Sequence, residues 1–198
     1  MRSLWLVALA ACGRVGFDAP GTSNGASPGS LAFGGQTWTV TSGSTLTGET
    51  VTVDARGTTW IARAPIAPDE TADELVAVVD AIGTGTMQRI SLEVATDPRG
   101  YACFAARFAF ATLALQDATT TDGGATYQTQ GTVSAGEAFV GTTLDLTLTH
   151  DATSVGCQLL AGGGSGSSGS SPPGGVSVSE IRIVVVDALV ELQSFARR

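Results

Sequence analysis

The chain contains no lysine: its ten cationic residues are all arginines, set against 18 Asp and Glu within 198 residues, for a formal charge of −8. The arginines are scattered. Neutralising phosphate requires clustered Lys and Arg, which excludes a nucleic-acid binder and a polybasic contact with anionic lipid. Histidine is nearly absent too, since His150 is the only one, and a tetrahedral Cys/His zinc site cannot be completed. No metal or other cofactor is expected. Long apolar runs are missing as well. The run at 181–192 is short and carries Arg182, Asp187 and Glu191, whereas a membrane-spanning helix needs about 20 apolar residues. Aromatics make up only 6%.

What is present is 43% hydrophobic and 14% charged residues, enough to bury a core and too much apolar material for disorder throughout. The length suits one domain with appendages. Residues 13–30 (GRVGFDAPGTSNGASPGS) have tether composition and span roughly 20–25 Å root-mean-square as a flexible segment. From Leu31 onward the texture is short alternating runs separated by turn residues. Trp38 and Val40 share one face of QTWTVT, Val51 and Val53 alternate with threonines, and DARG leads into TTWIAR. Ile90, Leu92 and Val94 face opposite Arg89, Ser91 and Glu93, and DPRG opens the run at 101–115, where Phe104, Ala106, Phe108 and Phe110 recur at period two. Further runs lie at 126–133, 142–149 and 176–192. Such spacing predicts an all-β, antiparallel β-sandwich or barrel-like domain of roughly eight to nine strands.

Two stretches are less regular. Residues 71–82 begin with Thr-Ala-Asp-Glu, a capping-box pattern, and Leu75, Val79 and Ile82 fit a helical stripe; the same β-branched run reads as a strand, which its neighbours favour. Residues 161–175 (AGGGSGSSGSSPPGG) have linker composition. The 23 residues that follow are too few for a domain of their own, so the stretch is expected to be a long surface loop inside a single domain at 31–198.

Candidate chemistry is sparse. His150 precedes Asp151, but adjacent strand residues point to opposite faces and do not make a triad. The Gly-x-Ser-x-Gly matches at 21–25 and 25–29 lie in the tether, outside any strand-turn-helix setting. Asp69, Glu70, Asp73 and Glu74 cluster after Pro68, and Asp117, Asp122 and Asp151 fall in loop-like stretches. None matches the calcium-loop pattern, and a hydrolytic pair of carboxylates would depend on a spatial separation that sequence does not display. Trp38 and Trp60 suit core packing, or stacking on a sugar if their rings are exposed. Phe104, Phe108 and Phe110 are likewise expected in the core.

The N-terminus resembles a bacterial lipoprotein signal: Arg2, the apolar run at 4–11, and Leu9-Ala10-Ala11-Cys12. The resemblance implies a signal peptide at 1–11, cleavage before Cys12, lipidation of that cysteine and a lipidated tether at 12–30. A diacylglyceryl group, often with a third chain, holds a protein stably on a membrane without spanning it. Gly13 in place of Asp implies delivery to the outer membrane of the cell envelope. With Cys12 acylated, Cys103 and Cys157 remain as an even pair in an oxidising compartment, where a disulfide is the default; two free thiols or two stray metal ligands are the alternatives. The order of runs over 31–150 is also similar to small β-domains of unassigned function on such lipoproteins, a resemblance that implies no site residues. The expected function is a lipid-anchored extracytoplasmic envelope protein with a non-catalytic structural or binding domain. The membrane would be its partner through Cys12, and a glycan or a protein its ligand. The alternatives are a carbohydrate- or peptide-binding module and a hydrolase using paired carboxylates.

Overall fold

In the computed structural model, the described residues are 29–198 without 42, 68, 97, 109–112, 124, 125, 137, 163, 173 and 174. They form strands and no helix. The chain begins with β1 (Gly29–Phe33), β2 (Gln36–Val40), β3 (Ser44–Thr47), β4 (Thr50–Asp54) and β5 (Thr59–Pro65). It continues with β6 (Ala72–Ile82), β7 (Met87–Thr96), β8 (Arg99–Phe108), β9 (Leu113–Thr120) and β10 (Gln128–Gly136). It ends with β11 (Thr143–His150), β12 (Val155–Ala161), β13 (Gly164–Ser170), β14 (Glu180–Val186) and β15 (Ala188–Arg197). The strands make two antiparallel sheets, an eight-stranded one in the order β1-β2-β5-β14-β7-β8-β9-β10 and a seven-stranded one in the order β13-β12-β11-β6-β15-β4-β3.

The alternation seen in the sequence is the reason for this sandwich. Trp38, Trp60, Leu92, Ile183 and Leu115 point inward from the first sheet, and Val53, Leu75, Leu146, Leu159 and Val190 from the second, meeting in one core. The stretch at 72–82 is strand β6, hydrogen-bonded to β11 and β15 along its length. Its inward residues Leu75, Ala77 and Val79 are buried, so the two-residue period, not the helical stripe, describes it.

Three expectations need correcting. The strands number fifteen among the described residues rather than eight or nine, because several runs read as single elements fold back on themselves; the run at 101–115 is the hairpin of β8 and β9. The Gly/Ser stretch is not a loop throughout. Residues 164–170 form β13, paired with β12 in unbroken register from Val155↔Ser170 to Ala161↔Gly164. Phe104 is buried, but on the outer face of the first sheet, apart from the main core, with Ala102, Ala106, Ala118 and Tyr127. Cys103 must face inward to reach Cys157, which turns its neighbour outward. The Phe108 side chain and Phe110 lie outside the described residues, as does Cys12.

Cys103 and Cys157 are joined by a disulfide between β8 of one sheet and β12 of the other, with Cα atoms 5.4 Å apart. Facing sheets normally pack about 10 Å apart, so the layers converge here. The convergence continues along β10 and β13. A Cβ added to Gly164 would lie 2.2 Å from the Ala135 carbonyl oxygen, and one added to Gly131 would lie 2.4 Å from Ser168 Oγ. Glycine is what lets the two edges touch. Ser168 Oγ donates to the buried Asp117 carboxylate across this seam.

The sheets are also linked at a corner. Asp187 alone connects β14 to β15, with φ 49, in the left-handed region that Asp visits more readily than most residues. Its carboxylate accepts from Gly57 N at 2.7 Å, Gly85 N at 2.5 Å and Gln88 Nε2 at 3.1 Å. Burial raises its pKa, and these hydrogen bonds outweigh burial and leave it below the ordinary value.

Candidate functional site

Among the described residues, the side opposite the β10–β13 seam is open. There β1 ends one sheet and β3 ends the other, and a groove of about 590 Å³ runs between the β1–β2 and β3–β4 turns. Gln36, Thr37, Leu46, Glu49, Gln193 and Ser194 line it. Ligand pockets commonly hold about 300–1,000 Å³. The floor is rigid. The Trp38 ring meets Phe195 edge-on at 4.9 Å, and Trp38 Nε1 donates to the Phe33 carbonyl at 3.0 Å. A Cβ on Gly34 would lie 2.5 Å from the Phe195 carbonyl oxygen, so the β1–β2 turn is pressed onto β15. The described chain begins at Gly29, the other end of β1 from the groove-lining Phe33, roughly 13 Å away along an extended strand.

The sequence-derived candidates lie elsewhere. Trp38 and Trp60 are 0% and 1% exposed, so neither indole has a face open for stacking on a ligand. Their alternation placed both side chains on the inward face of the first sheet, which corrects the stacking reading. Three of the four acidic residues after Pro68 are divided between two arginines at the C-terminus. The buried Asp73 accepts from Arg197 Nε at 3.0 Å, Glu70 pairs with the same guanidinium, and Glu74 pairs with Arg198. Arg197 also donates to the Pro65 carbonyl at 3.0 Å. Burial raises the Asp73 carboxyl to about 6, although Arg197 opposes the shift. His150 is 8% exposed at the end of β11. Burial, then Arg197, lowers its pKa. Two carboxylates thus converge near the lone histidine, but on a guanidinium buried between them rather than in a cleft. Asp122 and Asp151 are surface turn residues held by Thr126 and by Thr153 and Ser154. No group of three metal-ligating side chains occurs among the described residues.

A second polar cluster escaped sequence reading. Arg89, Ser91, Glu93 and Arg182 lie on the outer face of β7 and β14, yet all are buried. Tyr127 folds over them. Its hydroxyl donates to Glu93 at 2.5 Å, Ser91 Oγ donates to the same carboxylate at 2.8 Å, and Arg182 reaches the Gly123 carbonyl at 3.2 Å. The Arg89 guanidinium sits 4.5 Å from the Phe104 ring centre and 5.6 Å from that of Tyr127. Burial, then Glu93, raises the Tyr127 pKa. These contacts pin Gly123 and Tyr127 to the sheet; the cluster is structural. The alternation of Arg-x-Ser-x-Glu marked them as one face, but nothing in it showed that a distant loop would cover that face.

No family model matches the chain, and no curated protein matches it. Solved structures do. The chain superimposes on the carbohydrate binding module CBM66 from Bacillus subtilis with TM-score 0.60 and 13% identity, covering 84% of this chain and 96% of that one. It also superimposes on the CBM2 module of the Lactobacillus casei BL23 phage J-1 evolved Dit, with TM-score 0.54 and 9% identity over 77% of each. At such identity the likeness defines the class of fold: a two-sheet antiparallel β-sandwich.

Proposed function

We propose that this chain is a lipid-anchored, extracytoplasmic binding domain without catalytic function, and that its ligand is a carbohydrate. The observation that carries this reading is the preformed groove on the open side of a sandwich whose solved neighbours include a carbohydrate binding module. A groove that sets Gln36, Thr37, Gln193 and Ser194 beside apolar surface from Leu46 and Phe195 suits a ligand that carries both hydroxyls and C–H faces, as a sugar does. The hydrolase alternative is disfavoured because Glu70 and Asp73 are both committed to Arg197. The lipid anchor rests on Leu9-Ala10-Ala11-Cys12 and the tether after it. Attached through Gly29, the domain would present its groove at the opposite end of β1 from the membrane tether.

Two measurements test the two halves. Detergent-solubilised full-length protein should be retarded by at least one polysaccharide in affinity electrophoresis; no retardation by any sinks the ligand class. Cys12→Ala should abolish lipid labelling and move the protein to the soluble fraction. Continued membrane association would end the anchor reading and leave the ligand reading untouched.

A further inference from the structure

We propose that the groove selects an uncharged, hydroxyl-rich oligosaccharide, and that Gln36 and Gln193 are the side chains that read it. The inference rests on the carbohydrate-binding reading and makes it specific.

The lining chemistry is the first argument. Gln36, Thr37, Gln193 and Ser194 are neutral and polar. Each carboxamide offers two N–H donors and a carbonyl acceptor, and each hydroxyl offers one donor and two lone pairs. Such a set matches sugar hydroxyls, which both donate and accept. Glu49 is the one ionisable side chain lining the groove among the described residues. When ionised it only accepts. A uronate, sulfate or phosphate entering the groove would meet that carboxylate with no cation in the lining to offset it, so charged sugars are selected against.

The second argument is a deliberate irregularity in β15. Its register against β6 steps from Leu192↔Ala77 to Ser194↔Val76, leaving Gln193 as the extra residue of a bulge. Regular alternation would turn one of Gln193 and Ser194 inward. Instead the two consecutive residues are both exposed, and both line the groove. Bulges of this kind re-aim side chains and recur beside functional sites. The bulge lies directly before Phe195, which Trp38 and Gly34 hold in place. The two polar groups therefore stand on a closely packed floor, and preorganisation of this kind lowers the cost of association.

The third argument concerns the apolar part of the contact. Leu46 is 46% exposed and lines the groove. It offers an aliphatic surface to the C–H face of a sugar ring, while the aromatic rings nearby, Phe33, Trp38 and Phe195, are all buried. Hydrogen bonding to the carboxamides therefore carries specificity here, and removing one should be felt strongly.

The test is affinity electrophoresis and calorimetry on the full chain in detergent. The panel comprises neutral glucans, mannans, xylans and fructans, with pectate and alginate as charged counterparts and an unstructured neutral peptide as a non-glycan. A neutral polysaccharide should bind best. Gln36→Ala and Gln193→Ala should each weaken that binding about tenfold, whereas Gln158→Ala, an exposed glutamine on β12, should change it less than twofold. Glu49→Lys should gain retention on pectate at low salt. Preference of the unaltered chain for pectate or alginate overturns the proposed selectivity. Neutral-glycan binding that survives both glutamine variants overturns the groove assignment while leaving the carbohydrate reading intact. Failure to bind any glycan, with or without binding of the peptide, overturns both.

Discussion

The two long sides of the sandwich are built from opposite solutions to the same problem. On one side the sheets run together: β8 and β12 are cross-linked with Cα atoms 5.4 Å apart, and β10 and β13 touch because Gly131 and Gly164 carry no Cβ. On the other side the sheets stay apart, and the space between their edges becomes a groove. Glycine appears on both sides with different meaning. Gly164 is required by contact; Gly35 and Gly48 have nothing within 4 Å of a would-be Cβ and are required only by φ of 74 and 64. The closed side thus holds the domain together, which leaves the open side free to present polar side chains.

If the closed side bears the stability, breaking its covalent link should have the largest effect. Removing the disulfide by paired Cys103→Ser and Cys157→Ser should lower unfolding free energy by about 4 kcal/mol, the chain-entropy value for a loop with separation 54. Urea unfolding with and without reductant checks it. A loss below 1 kcal/mol would show that packing alone draws the sheets together.

Gly164→Ala against Gly35→Ala tests the two kinds of glycine directly. The first drives a methyl into the Ala135 backbone and should cost about 3 kcal/mol. The second meets open space and should cost about 1 kcal/mol, the penalty of a left-handed L-residue. Equal costs in equilibrium denaturation would refute the distinction between contact and conformation.

A titration sharpens the contrast at the end of the sandwich. Burial pushes the Asp73 carboxyl up to about 6 in the folded state, above the ordinary carboxylate value of 3.8. Its raised value means the folded state holds the proton more tightly, so its contribution falls as pH rises through 4 to 6. His150 is lowered, so its contribution is lost in the other direction, as pH falls below its unfolded value. Asp73→Asn removes the first effect and keeps the second. The stability of the unaltered chain relative to Asp73→Asn should therefore decline between pH 4 and pH 6, by up to about 3 kcal/mol. A difference that is flat with pH would mean that Arg197 fully compensates the buried carboxylate.

The core was legible in the sequence because alternation is local. Trp38 with Val40, and Ile90 with Leu92 and Val94, declare an inward face within a few residues. The remainder depends on partners far along the chain. Asp73 finds Arg197 across 124 residues, and Tyr127 finds Glu93 across 34. Neither separation leaves a mark on sequence periodicity. The run at 164–170 has no side-chain pattern at all; it is a strand because β12 offers a ladder and β10 allows only small residues beside it. The groove was least visible of all, since turn residues and a one-residue bulge make it.

The smallest expected effect on stability is at the groove itself. Gln193 is exposed and is the extra residue of the bulge, so truncating it removes no core packing. Gln193→Ala should stay within about 0.5 kcal/mol of the unaltered chain, as surface substitutions do. The same is expected of Leu46→Ala, because a Leu 46% exposed in a short edge strand contributes little burial. These near-zero values sharpen the comparison between the two sides. A domain that tolerates such changes at one edge, and fails when a single methyl is added at the other, has kept its groove residues free of any structural duty. If Gln193→Ala instead destabilised the fold by more than 2 kcal/mol in urea, the bulge would be a packing device, and the division between a holding side and a presenting side would fail.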